Sequence, residues 1–123
     1  YWLGVNCAQQ KQLQHLKLEQ WDAYELPQNV PVDKALGALM DFIKSKSVTD
    51  FFTQTQLIIT PGYTFRMIDG LFTNFHQPGS TLILLVAAAV GDAWKKIYAE
   101  ALANNYRFLS YGDSSLLFIQ KAL

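Results

Sequence analysis

Residues 80–103, STLILLVAAAVGDAWKKIYAEALA, contain two helical patterns separated by a stop signal. Ser80 is a suitable N-cap for a helix from Thr81 to about Val90. This first helix is apolar on every face, and such a helix is expected to be buried all round. Gly91 is placed as its C-terminal stop because glycine adopts positive φ without steric cost. Two packed helices in succession therefore anchor the fold.

The second helix is predicted to begin at Asp92 and to be amphipathic. Apolar residues at three- and four-residue steps give it one apolar side. Asn104 and Asn105 follow as closing residues. The apolar positions are Trp94, Ile97, Tyr98, Ala101 and Leu102, and the water-facing ones are Lys95, Lys96 and Glu100.

Short apolar runs on either side of these helices predict strands. Residues 55–60 indicate a buried strand, followed by a type II turn with Pro61 and Gly62 at its central positions. A strand through residues 65–68 should come next. Asp69 and Gly70 then form a second tight turn, or Gly70 lies within one continuing strand that reaches Phe75. The sequence leaves both options open.

The first half of the chain carries weaker signals. Residues 16–18 favour a strand, with Tyr24 as its farthest extent, and Pro27 and Pro31 bracket a loop. Asp33 is then expected to cap a helix that ends near Ser47. Its apolar positions are Val32, Leu36, Leu39, Met40 and Ile43. With two more apolar stretches at 106–109 and 116–119, the chain is predicted to be one compact α/β unit, a mixed β-sheet covered by helices.

Composition excludes several classes of protein. The 123 residues carry ten basic and ten acidic side chains, so charge alone cannot hold nucleic acid. Cys7 is the only cysteine, which excludes an internal disulfide and favours an inert thiol in a reducing, cytoplasmic setting. The longest apolar run, residues 82–90, is too short to cross a membrane. His15 and His76 are too isolated in sequence to suggest a metal site.

Polar and ionisable residues are concentrated between residues 63 and 81, in an otherwise apolar stretch. Strand alternation predicts that Asn74 and His76 share one face. Each residue also has a structural explanation: His76 as a core imidazole, Arg66 with Asp69 as an ordinary ion pair, Ser80 as a cap. Their clustering nevertheless predicts a functional site. The residues are Tyr63, Arg66, Asp69, Thr73, Asn74, His76, Ser80 and Thr81.

The sequence of this region resembles that of one enzyme family. Residues 61–76 read PGYTFRMIDGLFTNFH, and residues 106–113 read YRFLSYGD. With Pro78, Ser80 and Gly91, they resemble the C-terminal part of the S-adenosylmethionine:tRNA ribosyltransferase-isomerase family of queuosine biosynthesis. The likeness covers residues 55–118 with its spacing intact. Gln77 and Gly79 depart from the usual Leu and Lys, which removes a plausible anion contact.

The resemblance implies an enzyme that moves the ribosyl group of S-adenosylmethionine onto 7-aminomethyl-7-deazaguanine at the tRNA wobble position. Rearrangement of the ribose gives epoxyqueuosine, and adenine and methionine are released. S-adenosylmethionine is then the ribosyl donor, tRNA the partner, and no metal is expected. Family members carry an α/β domain interrupted by a β-barrel domain. This chain would be the C-terminal portion of that α/β domain, residues 1–123, without the barrel.

The resemblance also suggests roles for individual residues. His76 and Asp69 are the candidate proton carriers, and Arg66 is expected to pair with a carboxylate or phosphate. Aromatic rings at Tyr63 and Phe65 are suited to stacking on a base. The residues expected to hold hydroxyls and base edges are Thr73, Asn74, Ser80, Thr81, Tyr111 and Asp113.

Two further expectations follow from a chain that begins at Tyr1 and matches only one end of the family. The isolated chain should lack transferase activity, and it should self-associate to cover apolar surface. The competing interpretation is a non-catalytic α/β module that docks onto another protein, with the polar cluster serving as a structural network.

Overall fold

The computed structural model describes residues 1–9 and 16–119 and has the mixed α/β character that the sequence predicts. The chain divides into two compact units, Tyr1–Ile58 and Ile59–Leu123, so the prediction of one unit is wrong. The two strand pairs in the described residues, one parallel and one antiparallel, each lie within one unit. Local pairing therefore replaces the single sheet that alternating elements suggested. His15 lies outside the described residues.

The first unit is built on two packed helices. Its elements are α1 (Trp2–Gln9), β1 (Lys17–Leu18), α2 (Asp22–Glu25), α3 (Val32–Ser45) and β2 (Gln54–Thr55). Helix α1 packs on α3, where Val5 and Ala35 are fully buried. The hydroxyl of Tyr1 donates a hydrogen bond of 2.7 Å to the carbonyl of Val30, which ties the beginning of α1 to the loop before α3.

Gly4 allows this close helix packing. A Cβ built on Gly4 would overlap the backbone carbonyl of Ala35 in α3. Backbone atoms cannot move aside as a flexible side chain can, so the two helices would have to separate. A Cβ on Gly37, on the exposed side of α3, would have no described atom within 4 Å apart from its chain neighbours and the backbone of its own helix.

The two glycines predict opposite effects of one substitution. Gly4→Ala should destabilise the first unit by about 1–3 kcal/mol through overpacking. Gly37→Ala should stabilise it by about 0.5–1 kcal/mol because alanine loses less backbone entropy in a helix. Urea unfolding followed by the amide signals of residues in α1 and α3 measures both. A stabilising Gly4→Ala would contradict the packing described here.

Three local predictions for the first unit need correction. The strand from residue 16 does not reach Tyr24, because the chain turns after β1 and Asp22 accepts a 2.8 Å hydrogen bond from the Glu19 amide as α2 begins. Asp33 is not the cap of α3. Pro31 occupies that position, and Asp33 lies within the first turn.

The strand predicted over residues 55–60 is also much shorter than expected. Only Gln54 and Thr55 pair with β1 in a regular register. Beyond them the amide of Ile58 still donates a hydrogen bond to the carbonyl of Gln20 at 3.1 Å. The segment that follows Gln20 then forms helix α2 and no longer runs alongside as a strand. The apolar run therefore continues without a regular partner strand.

The second unit contains the elements that opened the sequence analysis. Its parts are β3 (Gly70–Asn74), α4 (Leu82–Val90), α5 (Ala93–Ala103) and β4 (Ser114–Phe118). Strands β3 and β4 form an antiparallel ribbon whose register pairs Gly70 with Phe118 and Asn74 with Ser114. Inward-facing Leu71 and Leu117 alternate with outward-facing side chains, as a half-buried ribbon requires.

Phe75 lies at the centre of the core of this unit. Its side chain is 3% exposed, and its ring centroid lies 5.5 to 5.6 Å from the rings of Tyr98, Tyr106 and Phe108. The core residues packed with it come from both helices and from β4: Ile83, Val86, Ala89, Val90, Tyr98, Ala101 and Leu117. An aromatic cluster thus fixes the position where β3 ends.

The turn signals before β3 are partly confirmed. Gly62 has a φ of +97°, and the amide of Tyr63 donates to the carbonyl of Thr60 at 3.1 Å, as the predicted turn requires. The strand predicted over residues 65–68 is wrong. These residues form bends and irregular structure, and β3 begins only at Gly70, where β4 provides a partner.

The ends of α4 and α5 follow the sequence with small differences. Gly91 ends α4 with a φ of +58°, as predicted. Thr81 rather than Ser80 holds the cap position, and no side chain there bonds to the helix. Leu82 and Leu102 are 48% and 61% exposed, so α4 is not buried all round and the apolar side of α5 is narrower than predicted.

Candidate functional site

Three polar side chains emerge where β3 ends, and we call Thr73, Asn74 and His76 the β3 end cluster. Strand β3 is anchored along its length by β4, so the position of its last residues is well defined. His76 follows buried Phe75 directly, which places a partly buried imidazole beside the aromatic core. Of the sequence-predicted residues, Thr73 and His76 are therefore brought into contact, and Asn74 lies between them in the chain.

Within the cluster, Thr73 contacts the ring of His76. The Thr73 hydroxyl oxygen lies 2.8 Å from Nε2 of His76. Thr73 is itself held in place, because its backbone carbonyl accepts a 3.2 Å hydrogen bond from the hydroxyl of Ser115 on β4. Strand alternation predicted that His76 shares a face with Asn74, but its ring contacts Thr73 instead. Alternation does not apply to His76 because the regular strand ends at Asn74.

Tyr98 of α5 holds the backbone of His76. The amide of His76 donates a 3.1 Å hydrogen bond to the Tyr98 hydroxyl, and the Tyr98 side chain is only 6% exposed. Sequence analysis placed Tyr98 on the apolar side of α5 and gave its hydroxyl no role. The signal was available, because a buried tyrosine usually finds a hydrogen-bond partner for its hydroxyl.

Asn74 ties a neighbouring loop to the cluster. Its side-chain amide donates to the carbonyl of Leu109 at 3.0 Å, and the Leu109 amide donates to the carbonyl of Phe75 at 2.8 Å. Leu109 has a φ of +70°, a conformation that a branched side chain rarely adopts. These hydrogen bonds hold the strained loop against the end of β3.

Asp113 closes the same loop. Its carboxylate accepts a 2.7 Å hydrogen bond from the Arg107 amide and a 3.4 Å contact from the Arg107 guanidinium. The backbone hydrogen bond first and the guanidinium second hold the pKa of Asp113 below its ordinary value. The carbonyl of Asp113 also accepts from the Phe75 amide at 3.3 Å, so both ends of the loop are hydrogen-bonded to the backbone of Phe75.

The lowered pKa of Asp113 predicts a pH dependence of stability. Because the pKa is lower in the folded state, the stabilisation is present above the unfolded-state pKa, about 4, and is lost as pH falls through the folded value. Asp113→Asn should therefore make the second unit less sensitive to acid over this range. Urea midpoints of both proteins measured from pH 5 downward test this, and parallel curves would contradict it.

Tyr111 and Thr81 are exposed, whereas the hydroxyl of Ser80 is buried. Tyr111, on the loop between Leu109 and Asp113, is 97% exposed and presents its whole ring to solvent. The Ser80 hydroxyl has no hydrogen-bond partner among the residues that the structure describes. The Ser80 hydroxyl therefore does not make the helix-capping hydrogen bond that the sequence predicted.

The other predicted residues precede β3. Tyr63 and Phe65 pack edge to face with ring centroids 5.0 Å apart, and Phe65 also contacts the core. Arg66 donates a 2.8 Å hydrogen bond from Nη1 to the carbonyl of Thr64. The carbonyl of Asp69 accepts from the Ile119 amide at the start of β3.

Asp69 and His76 consequently lie at opposite ends of the strand. The five residues of β3 between them span about 17 Å at the usual rise of a strand. The two predicted proton carriers therefore do not meet at one atom within this unit.

Residues 1–9 and 16–119 contain neither a candidate metal site nor a candidate membrane span. These ranges bring together no group of three or more His, Cys, Asp or Glu side chains suited to a metal ion. Their helices are also too short or too polar to cross a membrane. Burial raises the pKa of the Cys7 thiol, as an unreactive cysteine requires.

The first unit has an open surface pocket of about 710 Å³ that involves none of the predicted residues. It is lined by Leu16, Lys17, Phe52, Thr53 and Gln54.

Comparison with known proteins identifies the family to which these residues belong. The family model described as queuosine biosynthesis protein matches residues 32–117, which include the β3 end cluster and its loop. The chain belongs to the queuosine biosynthesis protein family. The resemblance seen in the sequence is thereby confirmed.

Individual relatives carry a more specific name, S-adenosylmethionine:tRNA ribosyltransferase-isomerase. The protein from Novosphingobium aromaticivorans is 56% identical over 75 residues, which cover 60% of this chain and 22% of the relative. The protein from Ruegeria pomeroyi is 58% identical over 84 residues, which cover 68% of this chain and 24% of the relative. The chain thus spans less than a quarter of the length of these relatives.

A solved structure shares the fold. The S-adenosylmethionine tRNA ribosyltransferase from Thermotoga maritima matches with a TM-score of 0.51 and 35% sequence identity, over 66% of this chain and 30% of that chain. The arrangement of helices and short strands is therefore one found in this family.

Proposed function

We propose that this chain is part of an enzyme that transfers the ribosyl group of S-adenosylmethionine to 7-aminomethyl-7-deazaguanine in tRNA and isomerises it to epoxyqueuosine. The observation that carries the proposal is the 58% identity with the Ruegeria pomeroyi relative over 84 residues. S-adenosylmethionine is the proposed donor and tRNA the proposed partner, in the cytoplasm and without a metal. Residues 1–123 are proposed to be the C-terminal portion of the α/β domain.

The β3 end cluster supplies the proposed chemistry. Ribosyl transfer needs a base for the proton beside the sulfonium and an acid for the departing adenine, and a histidine is suited to both. We assign this role to His76, whose ring is held by Thr73. Asp69 lies at the other end of β3, so we assign it no part in the same proton transfer.

The loop held by Asn74 is the proposed recognition element. The exposed ring of Tyr111 is suited to stacking on a base, which contributes roughly 1–3 kcal/mol. A strained conformation at Leu109 is typical of loops that position functional groups. The remaining proposed substrate contacts are Tyr63, Phe65, Arg66, Thr73, Ser80, Thr81 and Asp113.

A chimeric enzyme tests the proposal. In the Ruegeria pomeroyi relative, the segment that matches residues 32–117 is replaced by these residues, and we call the product the chimera. With substrate tRNA and S-adenosylmethionine, the chimera should release adenine at a rate within about tenfold of its parent, which corresponds to an activation barrier raised by about 1.4 kcal/mol or less. The 123-residue chain alone should release none.

Either part of this experiment can contradict the proposal. A chimera that folds, shown by its circular dichroism spectrum, but releases no adenine would exclude a working site in this segment. Adenine release by the isolated chain would show that the remaining length of the relatives is dispensable.

An interaction module remains the second candidate, because one face of the β3–β4 ribbon is apolar and exposed. Phe72, Leu116 and Phe118 share this face and are 73%, 58% and 71% exposed. We propose that it drives self-association of the isolated chain, which a monomeric mass in dilute solution would contradict. Calorimetric binding of S-adenosylmethionine by the chimera favours the enzyme over the module.

A further inference from the structure

We propose that Thr73 and Tyr98 are positioning residues that fix the His76 imidazole, so that Nδ1 is the nitrogen that exchanges a proton with substrate. This inference rests on the proposed function and assigns an atom and two supporting residues to its acid–base step. The sequence analysis did not predict Tyr98 as a site residue. It predicted Thr73 only as a residue that contacts substrate.

The first step of the argument is that Nε2 is already engaged. The Thr73 hydroxyl lies 2.8 Å from it, and Thr73 stands in regular register opposite Ser115. A threonine side chain has few rotamers, and its backbone here is held by both the ladder and the Ser115 hydroxyl. The oxygen that contacts Nε2 therefore has a fixed position.

The second step is that the backbone of His76 is fixed separately from its ring. The Tyr98 hydroxyl accepts the His76 amide proton, and the Tyr98 ring packs against Phe75, Trp94 and Phe108 at 5.5 to 6.0 Å. Helix α5 thereby sets where His76 leaves the strand. Backbone and ring are each held by one hydroxyl group from a different element.

The third step identifies the free nitrogen. Nδ1 of His76 makes no hydrogen bond with the residues that the structure describes, and the residue is only partly buried. When neutral histidine donates its Nε2 proton to Thr73, the lone pair is on Nδ1. The carbon beside the sulfonium then loses its proton to Nδ1 and keeps the electron pair. When the bond between adenine and the ribose breaks, its electron pair leaves with the adenine nitrogen, which takes the proton from the imidazolium.

Nuclear magnetic resonance of the 123-residue chain tests the assigned tautomer without any activity measurement. In a His15→Gln background His76 is the only histidine, so its ring nitrogens give a single set of signals. At alkaline pH, where the ring is neutral, it should carry its proton on Nε2. Thr73→Val should convert it to a mixture of tautomers, and Thr73→Ser should retain the original one. A proton on Nδ1, or no response to Thr73→Val, would overturn the assignment.

Kinetics of the chimera test the consequence for catalysis. Thr73→Val should lower kcat about tenfold with little change in KM, because the ring is misdirected rather than removed. Thr73→Ser should restore most of the rate, and Tyr98→Phe should lower kcat in the same way. Equal rates in the valine and serine variants would overturn the positioning role.

The two measurements separate the two hypotheses. A folded chimera without adenine release contradicts the proposed function, whatever the tautomer of His76. An active chimera whose His76 carries its proton on Nδ1 contradicts only the assignment made here.

Discussion

Replacement of His76 by alanine in the chimera should lower kcat for adenine release about a hundredfold, the lower end of the range for loss of a general acid or base. The imidazole is the group that the reaction uses, and alanine has nothing to replace it. Initial rates of adenine release at saturating S-adenosylmethionine and tRNA measure the effect. KM should change much less, because the proton is transferred after both substrates are bound.

The geometry makes this variant easy to interpret. Tyr98 holds the amide of His76 rather than its side chain, so His76→Ala retains that hydrogen bond. Loss of activity would therefore reflect loss of the ring and not release of the chain from α5. Turnover equal to that of the unsubstituted chimera would show that His76 is a structural residue.

Phe75→Ala should destabilise the second unit by about 3–5 kcal/mol, the range for large-to-small substitutions of buried aromatic residues. The Phe75 side chain is 3% exposed and has three aromatic neighbours, so its removal leaves a cavity at the end of β3. Urea unfolding of the 123-residue chain, followed by the amide signals of residues 70–118, measures the change in free energy of unfolding.

Phe72 provides the matched control. It lies on the same strand and is the same residue type, but its side chain is 73% exposed. Measured at a protein concentration at which the chain is monomeric, Phe72→Ala should therefore change the free energy of unfolding by no more than about 0.5 kcal/mol. Equal destabilisation by the two substitutions would contradict the described orientation of β3.

The helices of the second unit were predictable because their signals are local. The apolar run 82–90, the stop at Gly91 and the spacing of Trp94, Ile97 and Tyr98 depend only on neighbouring residues, and α4 and α5 follow them closely. Helix α1 was missed because Gly4 in its interior lowers helix propensity. Glycine is needed at position 4 because α3 packs closely against it, and a tertiary contact of this kind cannot be predicted from local sequence.

Strands were predicted less well because a strand requires a partner. Residues 55–60 and 65–68 have suitable side chains, but the structure gives them little or no regular pairing. Residues 70–74 became β3 because residues 114–118 return beside them. The fold as a whole decides which segments pair, so a single apolar run does not predict its partner strand.

The candidate site was predicted in part for the same reason. Clustering of polar residues pointed to Thr73, Asn74 and His76, and two of them, Thr73 and His76, are in contact, although strand alternation would put those two on opposite faces. It could not place Asp69 at the opposite end of β3, because that depends on where the strand begins. It also could not show that the hydroxyl oxygen of Tyr98, 22 positions after His76, accepts a hydrogen bond from the His76 amide.

The central claim is that residues 32–117 carry a working part of the ribosyl-transfer site. Its most direct measurement is transfer of labelled ribose from S-adenosylmethionine into substrate tRNA by the chimera. We predict one labelled ribosyl group in tRNA for each adenine released. A folded chimera that binds S-adenosylmethionine and tRNA but leaves the tRNA unlabelled would contradict the claim.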